Sequence, residues 1–141
     1  MPNVTFYLLI AQRHNSEQFA CRLVDKTWQQ GLAVHLHLRD EHHCRTVDQL
    51  LWQWREDSFI PHETIDISSE PCTSVTLGCR PPQLNHAQLV INLTDDTPDY
   101  FQGFSRICEI VSQTPEDIAI SREKFKRYRQ SGIEPTVHKL T

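Results

Sequence analysis

Val4-Thr5-Phe6-Tyr7-Leu8-Leu9-Ile10 is a seven-residue, nearly continuous apolar run rich in β-formers, the pattern of a strand covered on both faces. Such a strand belongs in the middle of a sheet, and the flanking segments alternate helix with strand. Ser16 caps a predicted helix in which Phe19, Ala20, Leu23, Val24 and Trp28 recur at helical spacing, and Gly31 stands just past its end. From Leu32 to Leu38, Val34, Leu36 and Leu38 alternate with His35 and His37 in strand period. Asp40 caps a second helix bearing Val47, Leu50, Leu51 and Trp54, and Pro61 biases Ile60 away from helix.

Short strands are predicted at Thr64 to Ile67, Val75 to Leu77 and Leu89 to Leu93. Asp99 reads as the cap of a third helix through Phe101, Phe104, Ile107, Cys108 and Val111. Thr114-Pro115-Glu116-Asp117 opens a fourth, at about 115–131, with cap, N1 proline and acidic first turn; Gly132 and Pro135 stop it. The tail after Gly132 reads as loosely held. This order predicts one α/β domain over residues 1–141. Its sheet is Rossmann-like and mainly parallel, with right-handed crossovers and helices on both faces.

Composition narrows the function classes. The chain has 141 residues, 38% of them apolar, and no apolar run approaches the ~20 residues of a membrane span. Its start, Met1-Pro2-Asn3-Val4-Thr5, lacks a basic region leading into a signal core, so a soluble cytoplasmic protein is expected. The five cysteines are odd in number and form no CxxC pair, which suits free thiols in a reducing compartment. The sequons at Asn3 and Asn92 then carry no glycan.

None of the four glycines opens a strand-to-helix turn, and the turn after the first strand reads Ala11-Gln12-Arg13-His14-Asn15. Neither GxGxxG nor GxxxxGK[ST] is present to cradle a phosphate, and no GxSxG elbow occurs. The sheet is expected to be a scaffold with no nucleotide and no cofactor. His42-His43-Cys44 offers zinc-type ligands, but adjacent helical residues point about 100 degrees apart and cannot converge on one ion. His35 and His37 share one strand face and want two further ligands that nothing in the sequence supplies.

Charge is concentrated at one place. Ser121-Arg122-Glu123-Lys124-Phe125-Lys126-Arg127-Tyr128-Arg129-Gln130-Ser131-Gly132 holds five cations against one carboxylate, a net +4 that leaves −8 on the rest of a chain of net −4. Ile118, Arg122, Phe125, Lys126 and Arg129 fall at i, i+4, i+7, i+8 and i+11, which is one helix face. Guanidinium groups grip carboxylates through paired hydrogen bonds while the apolar members floor a pocket, so the implied ligand is acidic and apolar at once. The competing reading makes Phe125 and Tyr128 core contacts and lets the cations complement the helix C-terminus. One basic helix in an acidic chain is a poor footprint for a protein that tracks a nucleic-acid backbone.

Leu50-Leu51-Trp52-Gln53-Trp54-Arg55-Glu56-Asp57-Ser58-Phe59 is the second unusual patch, because Trp52 and Trp54 cannot both face one core from a regular helix. With Trp52 and Phe59 outward they form an aromatic patch of the kind that anchors protein interfaces. If instead the helix ends near Trp54, all three rings fold inward.

Three segments taken together resemble the chi subunit of bacterial DNA polymerase III. They are Val4-Thr5-Phe6-Tyr7-Leu8-Leu9, the block from Leu51-Trp52 through Ser58-Phe59-Ile60-Pro61-His62, and Arg122-Glu123-Lys124-Phe125-Lys126-Arg127-Tyr128-Arg129 with Gly132. The resemblance implies a non-catalytic adaptor with a Rossmann-like fold and no nucleotide, acting in the bacterial cytoplasm at the replication fork and touching DNA only indirectly. It implies two partners. The clamp-loader-attached psi subunit would meet Trp52 and Phe59, and the acidic C-terminal tail of the single-stranded DNA-binding protein would meet Ile118, Arg122, Phe125, Lys126 and Arg129. The family also uses the psi-facing surface for a helicase-like repair partner. Two departures stand out: Ile118 where members often carry lysine, and Phe125 where a tyrosine is expected. The alternative is a Rossmann-like enzyme with an unrecognised small-molecule ligand, for which a polar pocket at the carboxyl ends of the strands would speak.

Overall fold

The structure is a computed structural model that describes residues 3–9, 16–53, 60–64, 75–79, 89–97 and 104–140, apart from the side chain of residue 140. In chain order the elements are β1 (Asn3–Leu9), α1 (Ser16–Gln29), β2 (Val34–His37), α2 (Glu41–Trp52), β3 (His62–Thr64), β4 (Val75–Gly78), β5 (Leu89–Asn92), β6 (Arg106–Val111), α3 (Pro115–Gln130) and β7 (Thr136–Leu140). The strands form one sheet in the order β3-β4-β2-β5-β6-β1-β7, and every pairing is parallel. This is the Rossmann-like α/β arrangement that the alternation implied.

Strand period sorts the core into two layers. Leu36 and Val34 of β2, Ile91 of β5 and Cys108 of β6 point to the side covered by α1 and α2, where they meet Val24 and Val47. Val4 and Phe6 of β1, Val90 of β5 and Ile107 and Val111 of β6 point to the other side, against Tyr128 of α3. Helices therefore cover both faces, and the continuous apolar character of β1 follows from being buried on both.

The helix ends follow their sequence signals closely. Asp40 accepts from the His43 amide at 2.8 Å, and Thr114 accepts from Asp117 N at 3.2 Å ahead of Pro115. Gly31 (φ 80) and Gly132 (φ 88) occupy the left-handed position that closes α1 and α3. Each end makes the paired bonds of a Schellman motif: Gly31 N to Trp28 O and Leu32 N to Thr27 O, then Gly132 N to Arg129 O and Ile133 N to Tyr128 O.

Two expectations are corrected. Ile107, Cys108 and Val111 lie in strand β6 and not in a helix capped by Asp99, a residue that with Phe101 falls outside the described residues. Spacings of one, three and four also fit the continuous run Ile107-Cys108-Glu109-Ile110-Val111, and burial on both faces of the sheet decides for strand. The segment after Gly132 is not loose: β7 pairs with β1 from Thr5↔Thr136 to Leu9↔Leu140. Strand β3 takes in Thr64, the first residue of the expected Thr64–Ile67; residues 65–67 lie outside the described residues.

Candidate functional site

Helix α3 presents two faces of opposite character. Its inner face seats Tyr128, fully buried, and Lys124, 7% exposed. Lys124 Nζ donates to Glu109 Oε1 at 2.9 Å and to the Thr94 carbonyl at 2.5 Å, while Tyr128 Oη donates to Glu109 Oε2 at 2.6 Å. Asn92 Nδ2 adds a third donor to the same carboxylate at 2.9 Å. Glu109, itself 1% exposed, thus ties α3 to β5 and β6 through a satisfied buried network.

Lys124 is consequently not one of the surface cations, a distinction that net charge per segment does not draw. Glu109 and Asn92 were missed as well, although a lone acid inside Ile107-Cys108-Glu109-Ile110-Val111 is a signal for a buried partner.

The outer face brings Ile118, Arg122, Phe125, Lys126 and Arg129 together on one stripe, as their spacing required. Ile118 is 37% exposed, and Arg122, Lys126 and Arg129 are exposed. Phe125 is half-buried at the border between the two faces, its ring centroid 5.6 Å from that of Phe6. Lys126 lies 3.6 Å from Glu123 and Arg129 lies 3.5 Å from Glu134, both as solvent-exposed pairs. Pairs of that kind are worth about 0–1 kcal/mol and exchange readily for another carboxylate. The stripe is a surface of exposed cations beside one half-buried aromatic ring.

Trp52, at the end of α2, is 51% exposed, and its ring stands 4.7 Å from that of His62. Phe59 and Trp54 lie outside the described residues.

A cavity of about 330 Å³ opens at the carboxyl ends of β1, β5 and β6, between the start of α1 and α3. Adjacent strands β1 and β6 send their following helices to opposite faces there, which is the ligand position of open α/β sheets. Most of its charged lining is already engaged. Glu109 holds Lys124, Ser112 donates to Asp117, and Glu17 stands 3.1 Å from His43 Nε2, a hydrogen bond that draws the Glu17 carboxyl below its ordinary range against the opposing effect of burial.

Burial pushes the thiols of Cys21, Cys44 and Cys108 up to about 12, 11 and 11, so none of these three is a nucleophile near neutral pH. His35 packs its Nδ1 2.8 Å from Thr76 Oγ1, and its ring is 6.4 Å from that of His37. Among the described residues no three His, Cys, Asp or Glu side chains stand close enough to hold a metal ion, and no helix is long and apolar enough to cross a membrane.

Fold and surface together define a Rossmann-like α/β protein whose last helix carries an exposed basic face. The sequence model described as "DNA polymerase III chi subunit, HolC" matches residues 1–136. The chain belongs to that family. Relatives named DNA polymerase III subunit chi include one from Pseudomonas aeruginosa, 38% identical over 141 residues and covering 99% of this chain and 98% of the relative. Those from Haemophilus influenzae and Escherichia coli are 30% and 26% identical, over 84% and 94% of this chain and 81% and 95% of their own lengths.

Proposed function

We propose that this chain is a non-catalytic adaptor of the DNA polymerase III assembly that grips the acidic C-terminal tail of the single-stranded DNA-binding protein on α3 and docks the psi subunit through Trp52 and Phe59. The observation that carries the first half is the stripe of exposed Arg122, Lys126 and Arg129 beside half-buried Phe125 and exposed Ile118. Tails of that kind carry aspartates ahead of a terminal Pro-Phe. The carboxylates meet the guanidinium forks, and the phenyl ring lies against Phe125 or Ile118.

Each such contact is of micromolar strength, about −8 kcal/mol, and many tails displayed on coated DNA hold the assembly at the fork by avidity. The same surface would serve a helicase-like repair protein that competes for Trp52. Contact with DNA is indirect.

Calorimetric titration with a tail peptide, with and without its final Phe, tests the reading. Arg122→Ala is expected to weaken binding by more than about 1.5 kcal/mol, roughly ten-fold, while leaving the thermal midpoint unchanged, because the residue is exposed. No heat from either peptide at low salt would dismiss the adaptor. An equal loss of folding stability would make Arg122 structural.

The cavity at the carboxyl ends of the strands favours a second reading, an enzyme with a small-molecule ligand. Against it stands the internal pairing of Glu109, Lys124 and Asp117, which leaves little chemistry free. A metabolite that raises the unfolding midpoint would carry this reading.

A further inference from the structure

Nothing about the end of a helix by itself fixes an indole half out in solvent, yet Trp52 rests on a support that is fixed on both sides. His62, whose side chain is wholly buried, places Nδ1 2.8 Å from the Ile60 carbonyl oxygen and Nε2 2.9 Å from Asp48 Oδ1. Asp48 and Trp52 are four residues apart on α2 and so share a face. The ring of His62 stands 4.7 Å from that of Trp52 at an interplanar angle of 54°.

We propose that Asp48 and His62 are positioning residues that hold Trp52 ready for a protein partner. The inference rests on the reading of Trp52 as an anchor for psi. The Ile60 carbonyl accepts from Nδ1 on one side of the imidazole and the Asp48 carboxylate stands 2.9 Å from Nε2 on the other, so the ring is bracketed by two oxygens. A tilted imidazole packed against an indole at this distance is a favourable aromatic contact. Asp48 on α2 and Ile60 ahead of β3 lock the imidazole in place, and the imidazole in turn limits where the indole settles. An anchor set in advance loses less freedom on docking, which is where its contribution to affinity lies.

The test uses the full-length chain labelled with 5-fluorotryptophan, the Trp52 fluorine resonance being assigned with Trp52→Phe. Asp48→Asn keeps the shape of a one-third-exposed side chain and removes its charge, so the fold tolerates it; His62→Gln is the companion variant. Both are expected to shift and broaden the Trp52 resonance in the free protein and to weaken psi binding about five-fold or more. In a Trp52→Ala background, Asp48→Asn is expected to cause no further loss, because the effect travels through the indole.

An unmoved resonance in both variants overturns the proposal. So does an Asp48→Asn loss that persists in full on top of Trp52→Ala, which would make Asp48 a direct contact. If the wild-type chain fails to bind psi, the anchor reading of Trp52 falls, and the resonance alone decides whether Asp48 and His62 position the ring.

Discussion

Replacing Glu109 with alanine is expected to destabilise the fold by about 3–5 kcal/mol, the range observed when one partner of a buried ion pair is removed. The substitution strands Lys124 Nζ with only the Thr94 carbonyl, leaves Tyr128 Oη without the acceptor it holds at 2.6 Å, and takes from Asn92 one of its partners. Removing both charges is a different experiment. Glu109→Leu combined with Lys124→Met is expected to recover the part of the loss that comes from the stranded Lys124 charge, because an apolar pair of similar volume often matches a buried ion pair in stability, while Tyr128 Oη and Asn92 Nδ2 still lack the Glu109 carboxylate as acceptor. Urea titration of the wild type, the single variant and the double variant checks both statements, and a single variant within about 1 kcal/mol of wild type would contradict the first.

Acidification from pH 7 to pH 5 is expected to lower folding stability by about 2 kcal/mol through His35 alone. Burial depresses this imidazole from its ordinary 6.5 to about 3, with His37 adding to the shift. Between those two values the unfolded chain binds a proton that the folded chain refuses. Stability therefore declines from about pH 6.5 downward, and this contribution is gone once the pH is below about 3. His37 is depressed in the same direction by its burial and by Lys124. His35→Gln, which keeps a group able to bond Thr76, is expected to flatten the slope of urea midpoint against pH; a flat wild-type profile across that window would contradict the assignment.

The helices were legible because their ends are written in short-range chemistry. Asp40, Thr114, Pro115, Gly31 and Gly132 each act within four residues of themselves, and the sequence alone locates them. Residues 104–111 were misread because a run apolar on both faces carries no period that separates strand from helix. Strand β7 was misread because Val137, 45% exposed, and its polar neighbours look like solvent-facing tail. What makes them a strand is the free edge of β1, which lies 127 or more residues away in the chain.

That Arg122, Phe125, Lys126 and Arg129 line up on one side of α3 was readable from spacing, since they share a face on any helix. That Lys124 belongs to the interior was not, because its counter-charge Glu109 sits 15 residues earlier in a different element. His62 escaped notice for the same reason: its partners Asp48 and Trp52 reach it only after α2 has folded back on β3.

Because β7 returns to pair with β1, helix α3 is spliced into the sheet at either end, by β6 before it and by β7 after it. On the function proposed above, a short peptide landing there meets a stiff rib and does not have to organise a floppy arm. The cost of capture then falls almost entirely on the peptide's own ordering. Sequence changes along the outer stripe should accordingly show themselves in how long a captured tail stays and hardly at all in how fast it arrives, apart from the salt-sensitive pull of the cations.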